Sequence, residues 1–341
     1  MKGHLVSSTA TEVGKTAVAW ARKVYPSPLS GESGNREEPL RNHSTGAQPA
    51  GGDSMKRMLF ALLITLTTIP CFATRTLTDE TGRRVAVPDH PHRVICLMPS
   101  VTDTVYALGA GDDVVAISDF TKYPAAALSK PSVGNLITPS IETILSFHPD
   151  LVIGVQPMGP MEVTGQLDRL GIPLFLVSPH GIAGIIHSVE TIGEALNRTQ
   201  QADTVIRDLQ QRVEAVKAHT RNLPAPKVFM PVWYDPITTI GKHAFITEII
   251  EAAGGHSVTD DLSSEWPEVS LEVVLSRAPD ALLLVRGGKT TLQVLQSRPG
   301  WSSMSAIKMH RVYYVDDRIN FPSPVAIDAL EDLAKQFHPL S

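Results

Sequence analysis

Two stretches of this chain repeat one another. Residues 140–154 read SIETILSFHPDLVIG and residues 270–284 read SLEVVLSRAPDALLL, with Ser, Glu, Leu, Ser, Pro and Asp at the same offsets. Each stretch predicts a short helix, a Pro-Asp turn and a buried strand. The separation is too wide for a solenoid, whose units recur every ~20–50 residues. It predicts two lobes of similar build, each carrying one glutamate at the start of an equivalent helix. Matched acidic marks on two lobes describe a molecule that closes on a ligand and presents itself to a symmetric partner.

The first 54 residues belong to neither lobe: they are polar, rich in Gly, Ser and Pro, and lack a sustained apolar period. Met55 then opens MKRMLFALLITLTTIPCFATRT, with Lys56 and Arg57 ahead of an apolar run over residues 58–69 and small residues at Cys71 and Ala73. That is the anatomy of a secretory signal peptide, and the run falls short of the roughly 20 residues that span a bilayer. The expectation is export from a start at Met55, with residues 1–54 a non-native or disordered extension and 55–73 the signal. TEVGKT, at residues 11–16, imitates part of a phosphate-binding loop, but Thr9 stands where that motif needs glycine.

From Thr74 onward the chain holds 22 basic and 30 acidic residues, a net charge of −8. This argues against nucleic acid, whose phosphates require a basic surface. Cys96 is the one cysteine left after residue 73, which rules out an intramolecular disulfide. It sits in an apolar run and reads as a buried small residue.

Residues 74–88 alternate around a turn and predict a hairpin. Apolar runs at 93–97, 114–117, 151–155 and 173–177 then alternate with helical segments, the pattern of a parallel α/β sheet. Residues 187–222 read as helix almost throughout. Ala202, Val205, Ile206, Leu209, Val213 and Val216 share one face of a helix starting near Gln201. After Pro224 a second series begins, with strands at 227–232, 237–240, 281–285 and 312–315 and helices at 245–253, 271–277 and 325–337. The expected architecture is an N-terminal α/β lobe (74–196), an inter-lobe helix (197–223) and a C-terminal α/β lobe (224–341): two Rossmann-like lobes bridged by a single long helix.

Glu142 and Glu272 each follow a serine by two, so Ser140 and Ser270 can cap the helix and the carboxylate can sit in its first turn. That local role is one reading of the pair. Asp316, Asp317 and Arg318 follow the strand at 312–315, as a solvated turn, an internal Asp–Arg pair or a polar ligand contact. Of the histidines, His90 and His92 lie in a Pro-rich loop and His180 and His243 near loops; no spacing makes a structural metal site.

The strings LTDETGRRVAVPDHPHRVICLMPSVTDTVYALGAGDDVVAISDF, SIETILSFHPDLVIG, GKHAFITEIIEAAGG and WPEVSLEVVLSRAPDALLL together resemble the exported substrate-binding proteins of ABC importers for cobalamin and iron–siderophore complexes. The resemblance covers essentially all of residues 74–341, and the last string is most similar to the cobalamin carriers. It implies two lobes on one rigid helix, a ligand in the cleft and no chemistry performed on it. It also implies that Glu142 and Glu272 dock onto arginines of the two subunits of an inner-membrane permease driven by a cytoplasmic ATPase. Phe120, Tyr123, Trp233, Tyr234 and Trp266 adjoin predicted strand ends, where open α/β sheets bind ligands. As cleft walls they would cover a corrin face while hydroxyl and indole N–H groups reach its amides; as core residues they would only pack. Asp317 and Arg318 would hold amide edges.

The resemblance thus implies a periplasmic monomer that takes a cobalt corrinoid, with no resident cofactor or metal. Leu136 and Gln156 stand where the enteric cobalamin carrier leads one to expect aromatics, which leaves the corrinoid open. Haem or a ferric siderophore is the alternative within the class; an anionic siderophore calls for several arginines, and the sequence offers Arg318 and Arg286. An exported enzyme on the same fold is the alternative from another class, against which stands the lack of a G-x-S-x-G elbow or zinc-ligand cluster. A sensory subunit that hands its loaded state to a receptor is a third.

Overall fold

The computed structural model describes residues 73–135, 139–156 and 161–339; the leader and Leu136 lie outside them. A hairpin, β1 (Thr74–Thr78) and β2 (Arg84–Pro88), precedes the first lobe. That lobe holds β3 (Val94–Cys96), α1 (Pro99–Ala107), β4 (Val114–Ile117), α2 (Ile141–Ser146), β5 (Leu151–Val155), α3 (Met161–Arg169), β6 (Leu174–Val177) and α4 (Gly181–Ala195). The helix α5 (Thr199–Thr220) follows. The second lobe holds β7 (Lys227–Phe229), β8 (Pro231–Tyr234), β9 (Ile237–Thr239), α6 (Phe245–Ala252), β10 (His256–Ser257), α7 (Leu271–Ser276), β11 (Ala281–Val285), α8 (Leu292–Gln296), α9 (Ser305–Lys308), β12 (Val312–Val315) and α10 (Val325–Phe337).

Each lobe is built on a four-stranded parallel sheet, and the two share one topology. The strand orders are β4-β3-β5-β6 and β10-β7-β11-β12. In both, the second strand of the lobe lies outside the first and the third lies inside it. The repeated sequence occupies the same place in each lobe, as the short helix leading into the third strand.

Its residues explain themselves locally. Ser140 accepts from Thr143 N at 3.2 Å, and Ser270 from Val273 N at 3.4 Å. Ser146 and Ser276 turn their hydroxyls back to the carbonyls of Thr143 and Val273. The Asp150 carboxylate accepts from His92 N and Arg93 N, and that of Asp280 from Lys227 N. Each aspartate therefore ties the start of the third strand to the start of the first. Between serine and aspartate, His148 and Ala278 take left-handed conformations at matching positions.

Alternating strand residues feed different cores, as a two-faced sheet requires. Val94, Cys96, Leu151 and Ile153 face one cluster, and Ile95 and Val152 another. In the second lobe Val228 and Leu283 join the first cluster, while Phe229, Leu282 and Leu284 face a third with Trp301. The central cluster runs through both lobes by way of Leu209 and Val213 on α5, Ile192 on α4, Ile246 and Ile250 on α6 and Leu330 on α10. The apolar face expected on the bridging helix is the one buried there. Burial pushes the Cys96 thiol up to about 12, as suits an inert core residue.

Two expectations need correction. The helical stretch is not continuous: it breaks after Ala195, and Asn197 adopts φ 55° before α5 begins. The strand expected at 237–240 does not join the parallel sheet. It pairs antiparallel with β8 in a separate two-stranded ribbon, across the Asp235-Pro236 turn. The edge of that sheet beside β7 goes to the short β10 instead.

Candidate functional site

In a parallel sheet the chain leaves every strand at the same end, so loops after the strands gather on one rim. The loop after β4 carries Phe120, Lys122 and Tyr123; the loop after β12 carries Asp316, Asp317 and Arg318. The two loops meet across the lobes. Tyr123 Oη donates to Asp317 Oδ1 at 2.6 Å and to Asp316 Oδ1 at 3.2 Å. Lys122 Nζ reaches Asp317 Oδ2 at 2.5 Å. The Tyr123 ring stands edge-on to Phe321, with centroids 6.1 Å apart. Burial, and then the Asp317 carboxylate accepting its hydrogen bond, push the Tyr123 phenol well above its ordinary value. It remains a donor throughout the physiological range.

Arg318 is bound within its own lobe. Its guanidinium contacts Asp316 at 2.9 Å, Asp328 at 2.9 Å and Asp332 at 3.4 Å. Asp328 is shared with Arg212 of α5, at 2.6 Å, and Arg212 also pairs with Glu331 at 2.8 Å. The network runs from the bridging helix through α10 to the cleft rim. Burial works against ionisation of Asp316, but the Arg318 backbone N–H and guanidinium outweigh it and hold the carboxyl below its usual range.

The β8–β9 ribbon projects the aromatic pair. Trp233 and Tyr234 stack with centroids 4.9 Å apart and planes 20° apart. The Arg298 guanidinium lies 4.7 Å from the centre of the Tyr234 ring and pairs with Asp235 at 2.8 Å. Trp233 lines a pocket of about 70 Å³ with Val232, Val285, Lys289, Thr290 and Asn320. Asn320 belongs to the same turn as Asp317, so the pocket adjoins the inter-lobe contact. Ligand sites usually enclose roughly 300–1,000 Å³. This pocket by itself is smaller than that.

Of the residues singled out in the sequence, Tyr123, Asp317 and Arg318 come together, and Trp233 stands beside them. Phe120 is half-buried on the Tyr123 loop. Tyr234 is covered by Trp233 and Arg298. Trp266 is 7 % exposed and belongs to the central core, where the packing reading describes it better than the cleft-wall reading. Beside it, burial pushes the Glu265 carboxyl up to about 6, against the Trp266 hydrogen bond it accepts. Gln156 and His243 are exposed. Arg286 lines an adjoining hollow of about 430 Å³ with Tyr314 and Gln293, sharing Val285 and Thr290 with the Trp233 pocket. Lys122, Asn320 and Phe321 were not foreseen; their adjacency to Tyr123 and Arg318 was the available signal.

Glu142 and Glu272 are both exposed in the first turns of α2 and α7. The Ser270 hydroxyl holds the Glu272 carboxyl below its usual range. Neither glutamate enters an ion pair among the described residues. Among those residues, no group of three or more His, Cys, Asp or Glu could hold a metal ion.

Two lobes with a rim of polar and aromatic groups between them define a solute-binding protein. A model described as periplasmic binding protein matches residues 94–319, and the chain belongs to that family. These are substrate-binding proteins of ABC transporters rather than enzymes, and this chain falls in the cobalamin, haem and siderophore class. Among its relatives is an uncharacterised ABC transporter substrate-binding lipoprotein of Bacillus subtilis, 29 % identical over 272 residues, covering 77 % of this chain and 85 % of that one. A vitamin B12-binding protein of Vibrio vulnificus is 28 % identical over 250 residues, covering 72 % and 89 %. Among solved structures, a periplasmic haem-binding protein of Roseiflexus sp. RS-1 superposes with a TM-score of 0.67 at 26 % identity, covering 72 % and 98 %. The periplasmic vitamin B12-binding protein of Vibrio cholerae gives 0.63 at 25 %, covering 72 % and 96 %.

Proposed function

We propose that this protein captures cobalamin or a related corrinoid between its lobes and delivers it to an ABC importer. The commitment of Arg318 to three carboxylates supports this most directly. With Lys122 paired to Asp317, neither basic group at the rim contact is free to meet an anionic ligand. The propionates of haem, or the charged groups of an anionic ferric siderophore, would have to break these pairs, at the desolvation and pairing cost of each charge. A corrin rimmed by neutral amides needs hydrogen-bond partners instead, which Tyr123 and Asp317 supply once the rim opens. The Trp233 face supplies apolar area. Haem remains the second reading, because the haem-binding neighbour is as similar to this chain as the B12-binding one. Calorimetric titration with cyanocobalamin, cobinamide, haem and a ferric siderophore tests the choice. The proposal expects a corrinoid to bind at least ~10-fold more tightly than either iron compound, or ~1.4 kcal/mol; haem or siderophore binding more tightly overturns it.

In this reading the protein is a periplasmic monomer without a resident cofactor, exported by the signal at residues 55–73. No helix among the described residues is long and apolar enough to cross a membrane. Glu142 and Glu272 meet one permease subunit each, where charge complementarity fixes register and speeds encounter. Glu142→Lys together with Glu272→Lys abolishes uptake by cells and leaves ligand affinity unchanged. Normal uptake by the double variant, or a loss of ligand affinity in its place, contradicts docking.

A further inference from the structure

Two helices at the junction of the lobes begin without a cap from their own sequence. α4 opens after His180, whose side chain makes no capping bond, and α10 opens after Pro324, which has none to offer. In both cases the acceptor comes from the opposite lobe. Glu248 Oε2, on α6 of the second lobe, accepts from Ile182 N at 2.9 Å. Asp103 Oδ2, on α1 of the first lobe, accepts from Val325 N at 3.1 Å. The exchange is reciprocal: each lobe lends one carboxylate to a helix of the other.

We propose that Asp103 and Glu248 are positioning residues that set the angle between the lobes, and with it the width of the ligand cleft, by capping these helices in trans. The first N–H groups of a helix lack partners within it and stand at the positive end of its dipole, so a carboxylate there makes a strong, directional bond. The apolar core that joins the lobes is not directional. It holds them together but permits sliding; two hydrogen bonds at separate points do not. The Glu248 contact is built into the backbone it meets. Gly181 has φ +67°, and a Cβ there would collide with Glu248 Oε2, so the glycine keeps the approach open. Asp103 is 7 % exposed, with Ser323 as a second donor and Asp328 as the neighbouring charge; Arg212 and Arg318 in turn bind Asp328.

This inference rests on the two-lobed cleft but not on the identity of the ligand. Nitroxide labels at Gln166→Cys on α3 and Gln296→Cys on α8 report the inter-lobe distance by pulsed electron paramagnetic resonance. Glu248 is exposed, so its replacement leaves the core intact. Glu248→Ala is expected to broaden the distance distribution about twofold and to weaken cyanocobalamin binding about fivefold through lost preorganisation. Glu248→Gln, whose amide oxygen still accepts from Ile182 N–H, restores the wild-type distribution, and Gly181→Ala reproduces the effect of Glu248→Ala. A wild-type distribution in Glu248→Ala overturns the proposal, even if the melting temperature falls, because the contact is then only local. Should Gly181→Ala fail to fold, Glu248→Ala decides alone. Failure of the corrinoid reading looks different: wild type and variants alike ignore cyanocobalamin, while the distance result stands.

Discussion

Burial pushes the Asp103 carboxyl up to about 6, against the lowering influence of Val325 N–H and Ser323. An unfolded aspartate titrates near ~4. Below that value both states hold the proton and the contribution of the group is intact. Between about 4 and 6 the folded protein keeps the proton while the unfolded chain releases it, so stability falls as pH rises; above about 6 the contribution is lost. The loss is on the order of 2–3 kcal/mol. Urea unfolding from pH 4 to 7 therefore shows wild type losing stability relative to Asp103→Asn as pH increases. A flat difference, or one of opposite slope, contradicts the burial argument. The same scale separates the repeated residues by purpose. Ser140 and Ser270 cap, and Asp150 and Asp280 tie strands. Glu142 and Glu272 are exposed in the first turns of their helices, and Glu272 also bonds the Ser270 hydroxyl.

Among elements, β12 is an edge strand of the second sheet, and an open edge invites pairing with another chain. Gln336 on α10 blocks it: its Oε1 accepts from Tyr314 N at 3.2 Å and its Nε2 donates to Tyr314 O at 3.1 Å. One amide thus occupies both backbone groups of Tyr314 on that edge. Gln336→Ala should aggregate faster at elevated temperature with its secondary structure unchanged, as followed by light scattering; scattering equal to wild type argues that the edge is protected otherwise. Elements of this kind mark the limit of sequence reading. The apolar face of α5 and the buried strands β5 and β11 were legible, because apolar periodicity encodes burial, and α10 was legible as a helix. The rim loops followed from strand ends. Residues 237–240 were legible as a strand but not as a ribbon apart, since an apolar run does not name its partner. The contacts of Asp103 and Glu248 left no local signal at all: each joins residues far apart in the chain, and α10 lacks any cap motif of its own.

At the scale of the whole molecule, the central core passes from one sheet through α4, α5, α6 and α10 to the other. The 22 residues of α5 span about 33 Å, enough to run alongside both lobes. The two lobes meet again at the rim, where Lys122 and Tyr123 face Asp317. Equilibrium dialysis of cyanocobalamin against wild type and Trp233→Ala tests most directly whether that rim is the binding site. Wild type should bind, and loss of the indole face should weaken binding at least ~10-fold, a buried aromatic being worth roughly 1.5–3 kcal/mol. Equal binding by both proteins, or none by wild type, contradicts the account.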